Sequence, residues 1–369
     1  MKKLIFLFIL CFQFVSAQEV ALVKKEGKFG YISKTGEFII QPKLKGAKNF
    51  SEGLAAVEDK GKWGFINIKG DWVIPASFSN AKYFNSGICV VESNKKWIYI
   101  NKKGEEIKMP SSDKVFDFED GIAFIRQNEK IGLINSKGDI VLQPTYEIIK
   151  SFDGNYARVK NNDKWGIIDK TGKVVVPIEY DAIGDYYKNT TWAKQGETFG
   201  LVIAGKFKLL EGVTKIWDFS AQDITYAKKD EKIGFINLSG KWVIEPKFDK
   251  VKGFSKNLAP VSINKKWGYI NMEGKFVVEP IYNDAEVFSA DGLAPVKDKD
   301  WGFINEAGKL VIPAKYEITL GLFAMFQKED KGFVKGLARV KNGKQIGFIK
   351  PDGSVLGNQW FESAEPFQK

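Results

Sequence analysis

The unit Lys62-Trp63-Gly64-Phe65-Ile66-Asn67 returns along this chain every 34 residues. Aligned on the glycine, the anchors are Gly30, Gly64, Ile98 (a substituted copy), Gly132, Gly166, Gly200, Gly234, Gly268, Gly302 and Gly347. The first eight intervals are 34 and the last is 45, an excess of 11. A fixed period of this length marks a repeat architecture, because each unit is one supersecondary element that cannot bury its apolar face alone. Length alone would suggest two domains. The unbroken period argues instead for a single array of about ten units over residues 18–369, with an 11-residue insertion near 321–331.

The copy around Trp301 shows how a unit is built. Gly292-Leu293-Ala294-Pro295-Val296 reads as a short strand and Trp301-Gly302-Phe303-Ile304 as a second, with a polar tight turn from Lys297 to Asp300 between them. Asn305-Glu306-Ala307-Gly308 has Asn first and Gly fourth, the pattern of a type I turn followed by a left-handed residue, which closes a hairpin. Lys309 to Pro313 is a third strand, expected to stop at a proline that has no N–H to donate. The turn recurs at Asn67 to Gly70, Asn101 to Gly104, Asn135 to Gly138, Asp169 to Gly172, Asn237 to Gly240 and Asn271 to Gly274. The proline recurs as Pro42, Pro75, Pro144, Pro177, Pro246 and Pro280. No segment has a long capped 3.6-residue periodicity, so almost no helix is expected.

Mid-strand glycine is normally a weakness; here it suggests a bulge or a close approach of a neighbouring repeat's backbone. Gly64, Gly166, Gly268 and Gly302 are thus read as backbone anchors. Trp63, Trp165, Trp267 and Trp301 read as a stacked core stripe, continued by Phe29, Trp97, Ile131, Phe199, Ile233 and Ile346. Two copies are degenerate. The one around Gly200 has a shortened turn at Ala204-Gly205 and no proline, and the stretch after Pro110 has Ser111-Ser112-Asp113 where others carry an aromatic.

The recurring pattern Gly-Leu-Ala-x-Val, Lys-Trp-Gly-Phe-Ile-Asn, Gly, Val-Ile-x-Pro and then Tyr or Phe resembles the bacterial WG-repeat (KWG-repeat) family, from Ala21 to Phe367. The resemblance implies an all-β repeat protein of bacterial type, with no catalytic or metal-binding residues to carry over. The fold expected is all-β: tandem 34-residue hairpin repeats stacked as an open solenoid-like or superhelical array. Three strands in 34 residues favour that path, since propeller blades of four strands commonly take about 40 to 50 residues. The alternative is a closed β-propeller-like ring. The chain opens on a first-strand segment, Val20-Ala21-Leu22-Val23, and its end, Phe361 to Phe367, looks like the connector before another first strand.

Lys2 and Lys3, the apolar run Leu4 to Val15, and the small residues of Val15-Ser16-Ala17 have the layout of a signal peptide over residues 1–17, cut before Gln18. The apolar run is too short for a membrane span, and no later segment is apolar enough for one. Losing two lysines lowers the net charge from +11 to +9. This basic balance is read mainly as solvated lysines at hairpin positions, with nucleic acid disfavoured for an exported chain. Location is expected to be periplasmic or extracellular. After cleavage Cys89 is the only cysteine, so no internal disulfide is available.

The chain has no histidine, which removes the commonest general base and metal ligand. Triplets such as Ser93-x-x-Lys96, Ser111-x-x-Lys114, Ser262-x-x-Lys265 and Lys170-Thr171-Gly172 resemble fragments of serine–lysine enzymes, but a lysine-rich chain yields them by chance. Asp117, Glu119 and Asp120 read as a solvated turn. No catalytic residue, cofactor or metal site is expected. The reading is an exported, non-catalytic scaffold that binds protein or envelope components. The alternative is a carbohydrate-binding or cell-wall-binding module using Trp72, Trp192, Trp217, Trp242 and Trp360, and a hydrolase ranks last. Apolar residues of the insertion, Phe323, Met325 and Phe326, are the candidate binding positions.

Overall fold

The computed structural model describes residues 18–219, 222–318 and 331–368. Almost every described residue lies in strands or their turns, and the one helical element among them is a single 3-10 turn, Leu356–Asn358. The strands of the described residues form ten antiparallel sheets, eight of four strands and two of three. Numbered along the chain, sheet 2 has Gly46–Ser51, Leu54–Asp59, Lys62–Ile66 and Trp72–Phe78 in that order. The last three are the expected hairpin strands. The first is the connector from the previous repeat, which pairs with the next repeat's first strand. In several sheets this fourth strand is only two residues long, as at Ile148–Ile149 and Ala182–Ile183.

The path is a closed ring, a ten-bladed β-propeller, and this corrects the expectation of an open array. Sheet 1 takes its fourth strand from the other end of the sequence: Ser363–Ala364 pairs with Val23 and Lys24. Val20 and Gln368 exchange backbone hydrogen bonds of 2.8 and 2.9 Å, and the Glu365 N–H donates to the Leu22 carbonyl at 2.8 Å. The alternative weighed from the sequence is the observed one, because the connectors add the missing strand that makes a 34-residue blade sufficient.

Packing states the same closure. There are ten clusters of buried side chains among the described residues, each shared by two consecutive sheets. An open row of ten sheets has nine such interfaces; the tenth joins Ala21, Val23 and Ile32 to Leu337, Phe348 and Phe361. Every sheet therefore buries both faces, and its strands send alternate residues to opposite neighbours. Phe65 enters the cluster shared with sheet 3, and Ile66 enters the one shared with sheet 1.

Among the described residues, seven of the ten interfaces are pinned by an aromatic pair of one kind, and in the other three the residue after the glycine is Leu133, Ile167 or Leu201. The residue after the anchor glycine meets a phenylalanine in the next connector, edge to face: Tyr31 with Phe50 and Phe65 with Phe84, both at 4.8 Å, and Tyr99 with Phe118 at 5.6 Å. Phe303 with Phe333 repeats it edge to face, and Phe235 with Phe254 and Tyr269 with Phe288 repeat it with more tilted rings. Such pairs add roughly 0.5–1.5 kcal/mol beyond the area they bury.

The anchor glycine sits opposite a bulge in its own third strand. Trp63 pairs with Phe78 and Phe65 with Ile74, so Pro75, Ala76 and Ser77 crowd onto Gly64 alone. A Cβ on Gly64 would lie 2.5 Å from the Ile74 carbonyl oxygen; on Gly132 and Gly268 the corresponding oxygen would be at 2.2 and 2.3 Å. The proline does not end the strand, as the sequence suggests. Pro75 lies inside Trp72–Phe78, where the bulge removes the need for its missing N–H. The hairpin turns match expectation: the Gly308 N–H donates to the Asn305 carbonyl at 2.9 Å with Gly308 at φ +79°.

Two predictions follow from these contacts. Gly268→Ala should lower stability by roughly 2–3 kcal/mol, because backbone must shift. Gly53→Ala, where nothing lies within 4 Å but φ is +83°, should cost nearer 1 kcal/mol. Denaturant midpoints of the two variants check this, and equal losses would refute the close-approach account. Deleting residues 361–369 should expose the Ala21–Val23 face, raising binding of a hydrophobic dye and lowering the melting temperature. An unchanged melting curve would mean the seam contributes nothing.

Candidate functional site

Trp63, Trp165 and Trp301 are half-buried and Trp267 is buried. They form the margin of the core stripe read from the sequence rather than its centre: Trp267 belongs to a core cluster and Trp63 and Trp165 pack against theirs, while the deepest positions belong to the residues after the glycine, such as Phe65 and Tyr269. The tryptophans flank the interfaces and carry lysines on their faces. Lys48 stands over Trp63 at 5.2 Å, Lys82 over Trp97 at 5.7 Å, Lys150 over Trp165 at 5.9 Å and Lys252 over Trp267 at 5.1 Å. In each pair the lysine precedes its tryptophan by 15 residues, a spacing the sequence holds openly and that a reading centred on one unit overlooks. The Lys48 ammonium donates to the Ala81 carbonyl, and Lys252 donates to Ala285 at 2.6 Å, so each lysine ties its connector to the next. Burial pulls the Lys48 pKa below the ordinary lysine value. Trp301 has Glu286 at the 15-residue position and takes Lys297 at 5.9 Å instead.

Of the ten tryptophans, only Trp72 (45 % exposed) and Trp97 (39 %) are more than about a third open to solvent. The aromatics proposed for sugar stacking are otherwise engaged. The Trp192 indole donates to Asp218 at 2.7 Å, Trp217 lies against Tyr226 at 4.8 Å, Trp242 packs at the interface of sheets 6 and 7, and Trp360 lies 6.4 Å from Tyr316. Phe323, Met325 and Phe326 fall outside the described residues.

The described surface departs most from its own rule at sheet 3. There Ile98 stands where other copies have glycine. A side chain at that position collides with the crossing carbonyl, so the bulge is absent. The third strand is reduced to Glu106–Ile107, paired only with Tyr99 and Ile100. In sister sheets Trp63 faces Phe78, Trp165 faces Tyr180, Trp267 faces Tyr282 and Trp301 faces Tyr316. The residue 34 positions after Phe78 is Ser112, which belongs to no strand. Between Trp97 and the segment after Ser112 runs an open groove of about 650 Å³, lined among others by Lys82, Lys96, Ser112, Lys114 and Val115. Lys82 is paired with Asp117 at 2.9 Å; Lys96 and Lys114 have no carboxylate at ion-pair distance among the described residues.

Most of the groups with chemical potential are buried or bonded, and Ser111 is exposed. Burial pushes the Cys89 thiol up to about 12, where the nucleophilic thiolate is not formed near neutrality. Ser93 and Lys96 face each other across a hairpin turn, Ser262 is buried, and Thr171 is bonded to Asp169 within its turn at 2.6 Å. Asp117 and Asp120 are paired with Lys82 and Lys170. No group of three or more metal-ligating side chains occurs among the described residues.

Comparison with known proteins gives a fold and a family. The crystal structure of the eukaryotic initiation factor is similar at 9% identity and a TM-score of 0.52, covering 95% of this chain and 98% of that one. Kluyveromyces lactis Hsv2p aligns at 13% identity and a TM-score of 0.33, over 54% and 72% of the two chains. The dihydro-heme d1 dehydrogenase NirN aligns at 11% and 0.35, over 81% and 73%. No curated protein matches in sequence. The profile of the WG containing repeat matches residues 29–63, 63–97, 99–130, 131–165, 165–199, 233–267, 267–300 and 301–318. With eight matched stretches spread over most of its length, the chain belongs to the WG containing repeat family.

Proposed function

We propose that this protein is an exported, non-catalytic ring that holds other proteins or envelope components on its surface. The observation that carries the reading is what the ring's distinctive residues do. The Trp-Gly anchors, the lysines above them and the connector phenylalanines are used in joining one blade to the next. The thiol and Ser262 are buried, Thr171 is bonded within its own turn, and Asp117 and Asp120 are paired with lysines. A repeat scaffold of this size offers a broad rigid surface for recognition. Export is supported by the leader-like residues 1–17. The first strand begins at Val20, so a cut before Gln18 leaves the whole ring intact.

The carbohydrate reading is weaker, because two exposed tryptophans on different sheets do not make a shared sugar platform. No helix of the described residues is long and apolar enough to cross a membrane.

Fractionating cells that express the full chain should place a product beginning at Gln18 outside the cytoplasm; a cytoplasmic product beginning at Met1 would sink the export part. Purified ring incubated with solubilised envelope proteins and isolated glycans should retain a defined protein at high salt, and that protein, once purified, should bind the ring directly. Retention of glycan alone would overturn the scaffold in favour of the sugar reading. Cys89 should resist iodoacetamide at pH 8 in the folded state and react after denaturation. Rapid labelling of the native protein would reopen a chemical role.

A further inference from the structure

We infer that the open edge of sheet 3 at Trp97 takes up an extended acidic peptide segment bearing a tyrosine or phenylalanine, which adds as a strand. The inference rests on the scaffold reading and names one of its binding sites.

Ser93 pairs with Lys96 across a two-residue turn, Trp97 with Glu92, and Ile98 with Val91. In an antiparallel pair, successive residues turn their N–H and C=O groups to alternate sides. A two-residue turn makes the Ser93–Lys96 pair the hydrogen-bonded one, so Trp97 presents its N–H and C=O away from Ile88–Ser93. Where sheet 2 puts Trp72–Phe78 on that side, sheet 3 has no strand beyond Glu106–Ile107. An unpaired donor and acceptor at a sheet edge are a template for strand addition.

The side chains specify the guest. The position facing the anchor tryptophan is aromatic in sheets 2, 5, 8 and 9, as Phe78, Tyr180, Tyr282 and Tyr316. In sheet 3 it is vacated by Ser112, and Trp97 is 39 % exposed where Trp267 is 8 %. A guest aromatic would fill the place its counterparts hold. Charge selects the flanks: Lys96 and Lys114 line the groove without acidic partners, and the one acid on its wall is Asp113. Ile98 is the cause of the vacancy, since its side chain excludes the protein's own third strand.

The test uses the intact ring and a fluorescein-labelled synthetic peptide of alternating glutamate and valine with a central tyrosine. Wild type should bind it with saturable anisotropy. Replacing the peptide's tyrosine by serine should weaken binding about tenfold, as should Trp97→Ala. Ser112→Tyr, which supplies the missing aromatic from within at the loss of the hydroxyl's bonds to the Arg126 backbone, should block the peptide while the ring stays folded. Lys96→Glu with Lys114→Glu should abolish binding at low salt. Failure of wild type to bind at millimolar peptide would overturn the inference, as would equal binding by Trp97→Ala with its fold intact. A dimer that Ser112→Tyr dissociates would also overturn it, because a second copy would then own the edge. If the peptide fails while a purified envelope partner still binds, the strand-addition site falls and the scaffold reading stands.

Discussion

Each sheet of this protein is apolar on both faces, and a sheet with two apolar faces needs two neighbours. Ile66 and Phe65, adjacent in sequence, are buried in different interfaces. That requirement passes from blade to blade and can be met at the ends in two ways: terminal units with a polar outer face, or joining the ends. Ala21, Val23 and Ile32 are as apolar as their counterparts in the middle of the chain, so the ends must meet, and Phe361 and Ala364 supply what they lack. Among the described residues the two end faces are apolar and cover each other, which closes the ring.

Much of the blade was legible. The Asn-x-x-Gly turns, the three hairpin strands and the bulge implied by a mid-strand glycine can be read because each depends on local backbone chemistry. The connector strand was not, since two residues such as Ala182–Ile183 carry no periodicity. Counting three strands per repeat then favoured the wrong path. Proline misled in a related way: Pro75 sits within a strand because the bulge opposite Gly64 relieves it of donating. The depth of the tryptophans also escaped a reading by residue type, because their indoles stand at the margin of the core and serve as shelves for Lys48 and Lys252.

The candidate site was half legible. Ile98 and Ser112 stand out against their sister copies in the sequence alone. What the sequence does not convey is that the two irregularities are one event. Losing the glycine expels the third strand, and losing the aromatic empties the place opposite Trp97. Regularity elsewhere in the ring makes this gap interpretable, since four sister sheets show what normally fills it.

The seam between Val20 and Gln368 has a kinetic meaning. It joins residues nearly the whole sequence apart, whereas every other blade is completed by neighbours in the chain. Local blades can therefore form early, and the long-range pairing is the contact with the greatest search to make. The thermodynamic penalty is mild. Loop-closure entropy grows only with the logarithm of length, so a loop about ten times longer than one repeat costs only about 2 kcal/mol more to close. The ring is thus cheap to hold shut but slow to shut, and an unsealed intermediate with a bare edge is the species most exposed to wrong partners during folding.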